Sequence, residues 1–81
     1  MNVEVKLFAG AKQTAGRDTL SLALPDNATI ADVRRALSEQ LPALEPLVRR
    51  AMFSINLDYA NDKTSVPANA EIACIPPVSG G

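Results

Sequence analysis

Two short stretches of strict alternation, on either side of residues 9–18, constrain the fold most. In residues 2–8, Val3, Val5 and Leu7 alternate with Glu4 and Lys6; in residues 19–24, Leu20, Leu22 and Leu24 alternate with Ser21 and Ala23. A period of two puts successive side chains on opposite faces of a strand, so each stretch has one face to bury and one to leave in solvent. Phe8 falls on the polar side of that alternation, with Glu4 and Lys6. Residues 9–18, with Gly10 and Gly16, read as a loop carrying at most one helical turn, which makes the pair an antiparallel hairpin. A lone hairpin is marginal in water, so the rest of the chain must cover its apolar face.

The cover is legible further on. Residues 25–27 (Pro-Asp-Asn) break the second strand, and Thr29 with Asp32 three residues later has the spacing of a helix cap. Ile30, Val33, Leu37 and Leu41 then form one helical stripe, with Arg34, Arg35, Glu39 and Gln40 assigned to the other face. Pro42 ends the helix because its ring and missing N–H oppose continuation. A short second helix or turn is expected over Leu44, Leu47 and Val48. Residues 53–57 read as a strand, 59–63 as turn-like, and 71–75 as a strand stopped by Pro76-Pro77. A hairpin, one crossing helix and a returning strand require the first and last strands side by side and parallel. The expectation is an α+β fold of the β-grasp type. It has a mixed sheet of four to five strands under one main helix and a short second one, over residues 1–75, with an extended tail over 76–81.

Composition narrows the function classes. At 81 residues, 47% hydrophobic and 21% charged, the chain has material for one core and no second domain. A net charge of −1 and only Phe8, Phe53 and Tyr59 as aromatics argue against nucleic-acid binding, which favours a basic surface with stacking rings. No apolar run is long enough to span a membrane, and the first residues lack a signal-peptide pattern. Cys74 is the single cysteine, so no internal disulfide framework exists, in keeping with a reducing cytoplasm. With no histidine, neither a zinc site nor a His-dependent triad is expected, and no metal ligand is assigned. The remaining candidate for chemistry is the carboxylate at the end of "PPVSGG".

The stretches "LFAGAKQTAG" and "EIACIPPVSGG" resemble the small, MoaD-like sulfur-carrier subunits of molybdopterin synthase, a branch of the ubiquitin-like β-grasp sulfur carriers. Val33-Arg34-Arg35-Ala36-Leu37 and Ser54-Ile55-Asn56 echo further family patterns, so the likeness spans the chain. Gly-Gly is common to all such carriers, whereas "PPVSGG" is more specific to this branch. Asn69-Ala70 and Cys74-Ile75 depart from the family pattern, in the region that bears on partner contact.

The resemblance implies a carrier rather than an enzyme in its own right. The Gly81 carboxylate would be adenylated by an E1-like, MoeB-like enzyme that uses ATP. A sulfur donor such as a cysteine desulfurase or a rhodanese would then convert it to a thiocarboxylate. The loaded tail would enter a large, MoaE-like subunit and give its sulfur to cyclic pyranopterin monophosphate, within a heterotetramer. No cofactor would be bound by the chain itself. Under this reading Gly80 and Gly81 pass through a narrow channel because they lack Cβ atoms. Pro76 and Pro77 keep the base of the arm extended, and Val78 and Ser79 meet the channel wall. Phe8 and Ile75 would be partner contacts. Cys74 is read as a small buried hydrophobe, not the site of the carried sulfur. Arg35, Arg49, Arg50 and Lys63, like Arg34, receive no role. Two alternatives remain: a β-grasp carrier serving thiamine, amino-acid or transfer-RNA thiolation, and a modifier joined to lysines through Gly81.

Overall fold

Every alternate residue of β1 (Asn2–Leu7) is buried in the computed structural model, which describes residues 1–77. Expectations resting on Val78, Ser79, Gly80 and Gly81 lie outside the described residues. β1 pairs antiparallel with β2 (Thr19–Ala23), Val3 opposite Leu22 and Val5 opposite Leu20, so both apolar rows point the same way.

The connection between them corrects the loop expectation. Residues 9–15 form a helix, α1 (Ala9–Ala15), closed by Gly16 at φ 71, whose N–H donates to the Lys12 carbonyl at 2.9 Å. That left-handed closure suits glycine. The sequence pattern missed the helix because its apolar positions are alanines and only Ala11 is buried, leaving no stripe of large side chains. Ala11 joins the core beneath it, and Leu47 lies near Gly10, where a Cβ would make ordinary contact at 3.6 Å.

α2 (Ile30–Gln40) begins where expected. The Asp32 carboxylate accepts from the Thr29 N–H at 2.9 Å and from its hydroxyl at 3.3 Å, and that backbone hydrogen bond, foremost, holds the carboxyl below its ordinary pKa. Ile30, Val33 and Leu37 are fully buried, while Leu41 follows as the C-cap. A 3-10 turn (Pro42–Leu44) and the short α3 (Glu45–Val48) bury Leu44 and Val48.

The later strands shift the expected boundaries. β3 is Met52–Ile55, Asn56 and Leu57 are a turn, and β4 is Asp58–Ala60. Part of the stretch expected to be a turn is thus a strand, and the end of the expected strand is a turn. The reason is chemical: Asn56-Leu57 lacks the glycine that marks a two-residue hairpin loop. β5 (Glu71–Ile75) runs parallel to β1 and antiparallel to β3, giving the order β2-β1-β5-β3-β4. The first and last strands are neighbours and parallel, as the single-crossover reasoning requires.

All three helices add to one side of this sheet, and the core lies between the layers. It includes Val5, Leu22, Ile30, Leu37, Leu44, Phe53 and Ile72, each almost without solvent exposure. Burying a side chain of this size contributes about 1.5–3 kcal/mol, so the apolar rows outweigh the weak local preferences of residues 9–15. Among the described residues, no helix is long and apolar enough to cross a membrane.

Candidate functional site

The sheet has a second face, turned away from the helices, and its composition changes along its length. Register places Asn2, Glu4, Lys6, Glu71, Ala73, Ile75, Met52, Ser54 and Tyr59 on it. Near the N-terminal end of β5 it is charged: Glu4 lies opposite Glu71, and Lys6 pairs with Glu71 at 3.4 Å. Toward the C-terminal end of β5 it turns apolar. Met52 is the register partner of Ile75 and is 56% exposed, and Tyr59, opposite Ser54, is 72% exposed.

Phe8 joins this apolar end. Its backbone is still extended (φ −125, ψ 157), which keeps the parity of β1 and aims the ring away from the core; it is 44% exposed. It follows Leu7, whose partner is Cys74, so Phe8 and Ile75 leave adjacent parallel strands at the same end of the sheet. Beside Phe8 lies an open groove of about 440 Å³, lined by Lys6, Lys12, Asp18 and Thr19 among others. The structure therefore brings together the two residues singled out for partner contact, Phe8 and half-buried Ile75, and adds Met52 and Tyr59. Sequence patterning missed Met52 because residues 51–53 are all apolar and carry no parity signal. It missed Tyr59 because the stretch around it reads as a turn. Exposed apolar clusters of this kind mark interaction surfaces.

The tail leaves from the middle of this end. β5 stops at Ile75, Pro76 is buried and Pro77 exposed. A buried proline with fixed φ makes the base of the arm part of the folded body and sets its direction of exit.

Arg34, which the sequence placed on the polar face of the helix without a role, is built into the structure. Its Nη1 donates to the carbonyls of Val48 at 2.6 Å and Ala51 at 3.0 Å. Nε and Nη2 donate to Asp62 Oδ1 at 3.2 and 2.8 Å. The guanidinium also sits 4.9 Å over the Phe53 ring. A planar fork with several donors is suited to this, whereas an ammonium is not. Arg34 thereby ties the end of α3, the start of β3 and the loop after β4 to α2, framing the strands that carry Met52 and Tyr59. One signal was available: Ile30, Arg34 and Leu37 share the i, i+4, i+7 spacing of the apolar stripe.

Cys74 is fully buried in β5 opposite Phe53, and desolvation pushes its thiol up to about 11. A thiol with so little thiolate at neutral pH is a poor nucleophile. Iodoacetamide at pH 8 is expected to leave native protein unmodified and to alkylate it once denatured. A Cys74→Ser variant is expected to lose about 1–3 kcal/mol from a buried hydroxyl, measured by calorimetric unfolding.

Comparison with known proteins places this arrangement. The ThiS family model matches residues 5–81. The chain is 30% identical over 83 residues to the molybdopterin synthase sulfur carrier subunit of Caenorhabditis elegans, covering 100% of this chain and 99% of that protein. The crystal structure of SAMP1 from Haloferax volcanii superposes with a TM-score of 0.89 at 32% identity, covering all of both chains. The fold is also that of a chain in the complex of subunits 1 and 2 of molybdopterin-converting factor from Helicobacter pylori. That match has a TM-score of 0.68 at 22% identity and covers all of both chains. A β1–β5 parallel pair under one main helix, an apolar outer end beside a proline stem, and a sequence match running through Gly81 all agree: the chain belongs to the ThiS family of ubiquitin-like sulfur carriers.

Proposed function

We propose that this chain is the sulfur carrier of a molybdopterin synthase. Its body is a docking module, and its reactive group is the Gly81 carboxylate. An adenylating enzyme activates that carboxylate with ATP, releasing pyrophosphate. A donor persulfide displaces AMP to form an acyl disulfide, and attack of a second thiol on its outer sulfur releases the thiocarboxylate and leaves a disulfide on the donor side. The sulfur then attacks an electrophilic carbon of the pterin precursor within the large subunit, an oxygen substituent of that carbon leaves, and water hydrolyses the resulting thioester, so the sulfur stays on the pterin and the carboxylate is regenerated. Among the described residues, Phe8, Ile75, Met52 and Tyr59 hold the large subunit, and Pro76 and Pro77 direct the tail into it. Val78, Ser79, Gly80 and Gly81 thread its channel.

The observation that carries this reading is the apolar outer end of the sheet at the foot of "PPVSGG", in a chain similar along its whole length to a named carrier subunit. The subunit complex known for the Helicobacter pylori protein supports a large-subunit partner. The test is intact mass spectrometry after incubation with an activating enzyme, ATP and a sulfur donor. Replacement of one oxygen by sulfur at Gly81 is expected, and an unchanged mass with every activating enzyme of the E1 type sinks the proposal.

A second reading has its own support in the 32% identity to SAMP1, a small archaeal modifier protein. If Gly81 also becomes joined to lysines, cell extracts contain isopeptide-linked conjugates of the chain that disappear when Gly81 is removed.

A further inference from the structure

The sheet ends in two edge strands, β2 and β4, and they are guarded unequally. β4 is three residues long and begins with Asp58; a short edge and a charge both discourage pairing with another chain. β2 is five residues, Thr-Leu-Ser-Leu-Ala, with no charge, proline or glycine. Its register against β1 is unbroken from Thr19 to Ala23, so no bulge turns the edge away. Ser21 and Ala23 are exposed.

Backbone accounting shows what that edge offers. The Leu7 N–H donates to the Asp18 carbonyl at 2.8 Å, and the Leu24 N–H donates to the Met1 carbonyl at 2.7 Å. In an antiparallel pair, residues that exchange hydrogen bonds alternate with residues that do not. Asp18, Leu20, Leu22 and Leu24 are therefore turned toward β1, and the N–H and C=O groups of Thr19, Ser21 and Ala23 point off the sheet. β1 is the one strand beside β2, so these groups have no ladder partner among the described residues.

We propose that this edge joins a second copy of the chain, β2 against β2 and antiparallel, about a two-fold axis at Ser21. The two sheets then become one continuous sheet. Ser21 faces its own counterpart, and Thr19 faces Ala23 of the second copy. Each of these pairs is of the hydrogen-bonded kind, so every outward N–H and C=O of the strand finds a partner at once. Any slip leaves an end residue without a partner from the strand. An unrelated extended peptide would meet the same backbone groups. What selects a second copy is charge. Past the strand the register sets Arg17 opposite Pro25, beside Asp26 of the second copy, and the axis repeats the match at the other end. Arg17 is exposed and has no ion pair among the described residues, and Asp26 is 96% exposed, with a 3.4 Å contact to the Met1 ammonium. Opposite charges at a rim set register and orientation. β5 lies beyond β1 from the joint and runs antiparallel to β2, so the two Pro76 stems leave at opposite ends of the joined sheet. The inference stands apart from the sulfur-carrier reading.

Sedimentation equilibrium of the full chain tests it, up to about 1 mM so that a millimolar dissociation constant is still seen. The wild-type chain is expected to show a monomer–dimer equilibrium. Ser21→Pro removes an outward N–H that β1 does not use, where an edge strand tolerates proline, and is expected to raise the dissociation constant about tenfold or more. Arg17→Asp is expected to weaken the dimer, and Arg17→Asp combined with Asp26→Arg to restore it. Both positions lie outside β2, so this charge exchange decides the matter even where Ser21→Pro melts early. A wild-type chain that stays monomeric throughout overturns the proposal. So does a dimer indifferent to a folded Ser21→Pro variant, or one that the charge exchange fails to restore. A dimer lost on removing residues 78–81 also overturns it, because the strand added at the edge is then the tail of the other copy.

Discussion

Deleting Gly81 is expected to abolish sulfur loading while leaving the Tm unchanged. The two outcomes separate because the core is built within residues 1–77, whereas the carboxylate proposed to react belongs to Gly81. Deletion leaves a carboxylate on Gly80, but one residue of extended chain spans up to about 3.6 Å. The acyl group then stops short of the adenylating site by that distance. Misplacement of a reacting atom by about 1 Å already costs on the order of a hundredfold in rate, so a loss beyond a thousandfold follows. Gly81→Ala is a gentler probe: the chain length is kept and a methyl group enters the channel, so slowed loading is expected rather than none. Intact mass spectrometry measures both, with calorimetric unfolding as the control. Wild-type loading in the deletion variant would mean that the reactive carbonyl is not at Gly81.

Arg34→Met is expected to cause the largest stability loss of any single surface-facing substitution, about 3 kcal/mol. The methionine keeps much of the aliphatic stem but removes every donor. The Ala51 carbonyl loses its Arg34 donor in a partly buried setting, at about 1–3 kcal/mol, while the Val48 carbonyl keeps the Ala51 N–H at 3.2 Å and loses less. The cation over Phe53 contributes about 1 kcal/mol. Asp62 adds less, because its side chain is 54% exposed and such pairs are worth about 0–1 kcal/mol. For a domain this small, stability lies at roughly 4–12 kcal/mol, and a loss of about 3 kcal/mol lowers the Tm by roughly 15 °C. Arg34→Lys is expected to fall between, since it keeps the charge and loses the fork. Calorimetric or circular-dichroism melting decides the matter, and a loss under about 1 kcal/mol for the methionine variant would reduce Arg34 to an ordinary surface residue.

What could be read in advance follows from how each signal is encoded. The hairpin was legible because Val3, Val5, Leu7, Leu20 and Leu22 are large and strictly alternate, and α2 because Ile30, Val33 and Leu37 repeat at helical spacing beside a capping pair. α1 was not, because alanines leave little periodicity and only the small Ala11 is buried. The β3–β4 turn was not, because Leu57 contradicts the preference that identifies such turns. Within the candidate site, Phe8 was visible by parity and Ile75 only through the family resemblance. Met52 and Tyr59 became visible only when strand register set them on the same face.

By itself, then, the sequence determined the fold class, the parallel meeting of first and last strands, the inert burial of Cys74 and the terminal "PPVSGG", all of them carried by local pattern or residue type. The tertiary structure alone decided that Arg34 is a cross-link rather than a solvated charge. It also decided that Met52, Tyr59 and Ile75 of β3, β4 and β5 share the outer face beside Phe8, and that a leucine is held in a left-handed turn. These depend on contacts between residues far apart in the chain, and a one-dimensional pattern does not record which distant carbonyl, strand or turn a side chain will meet.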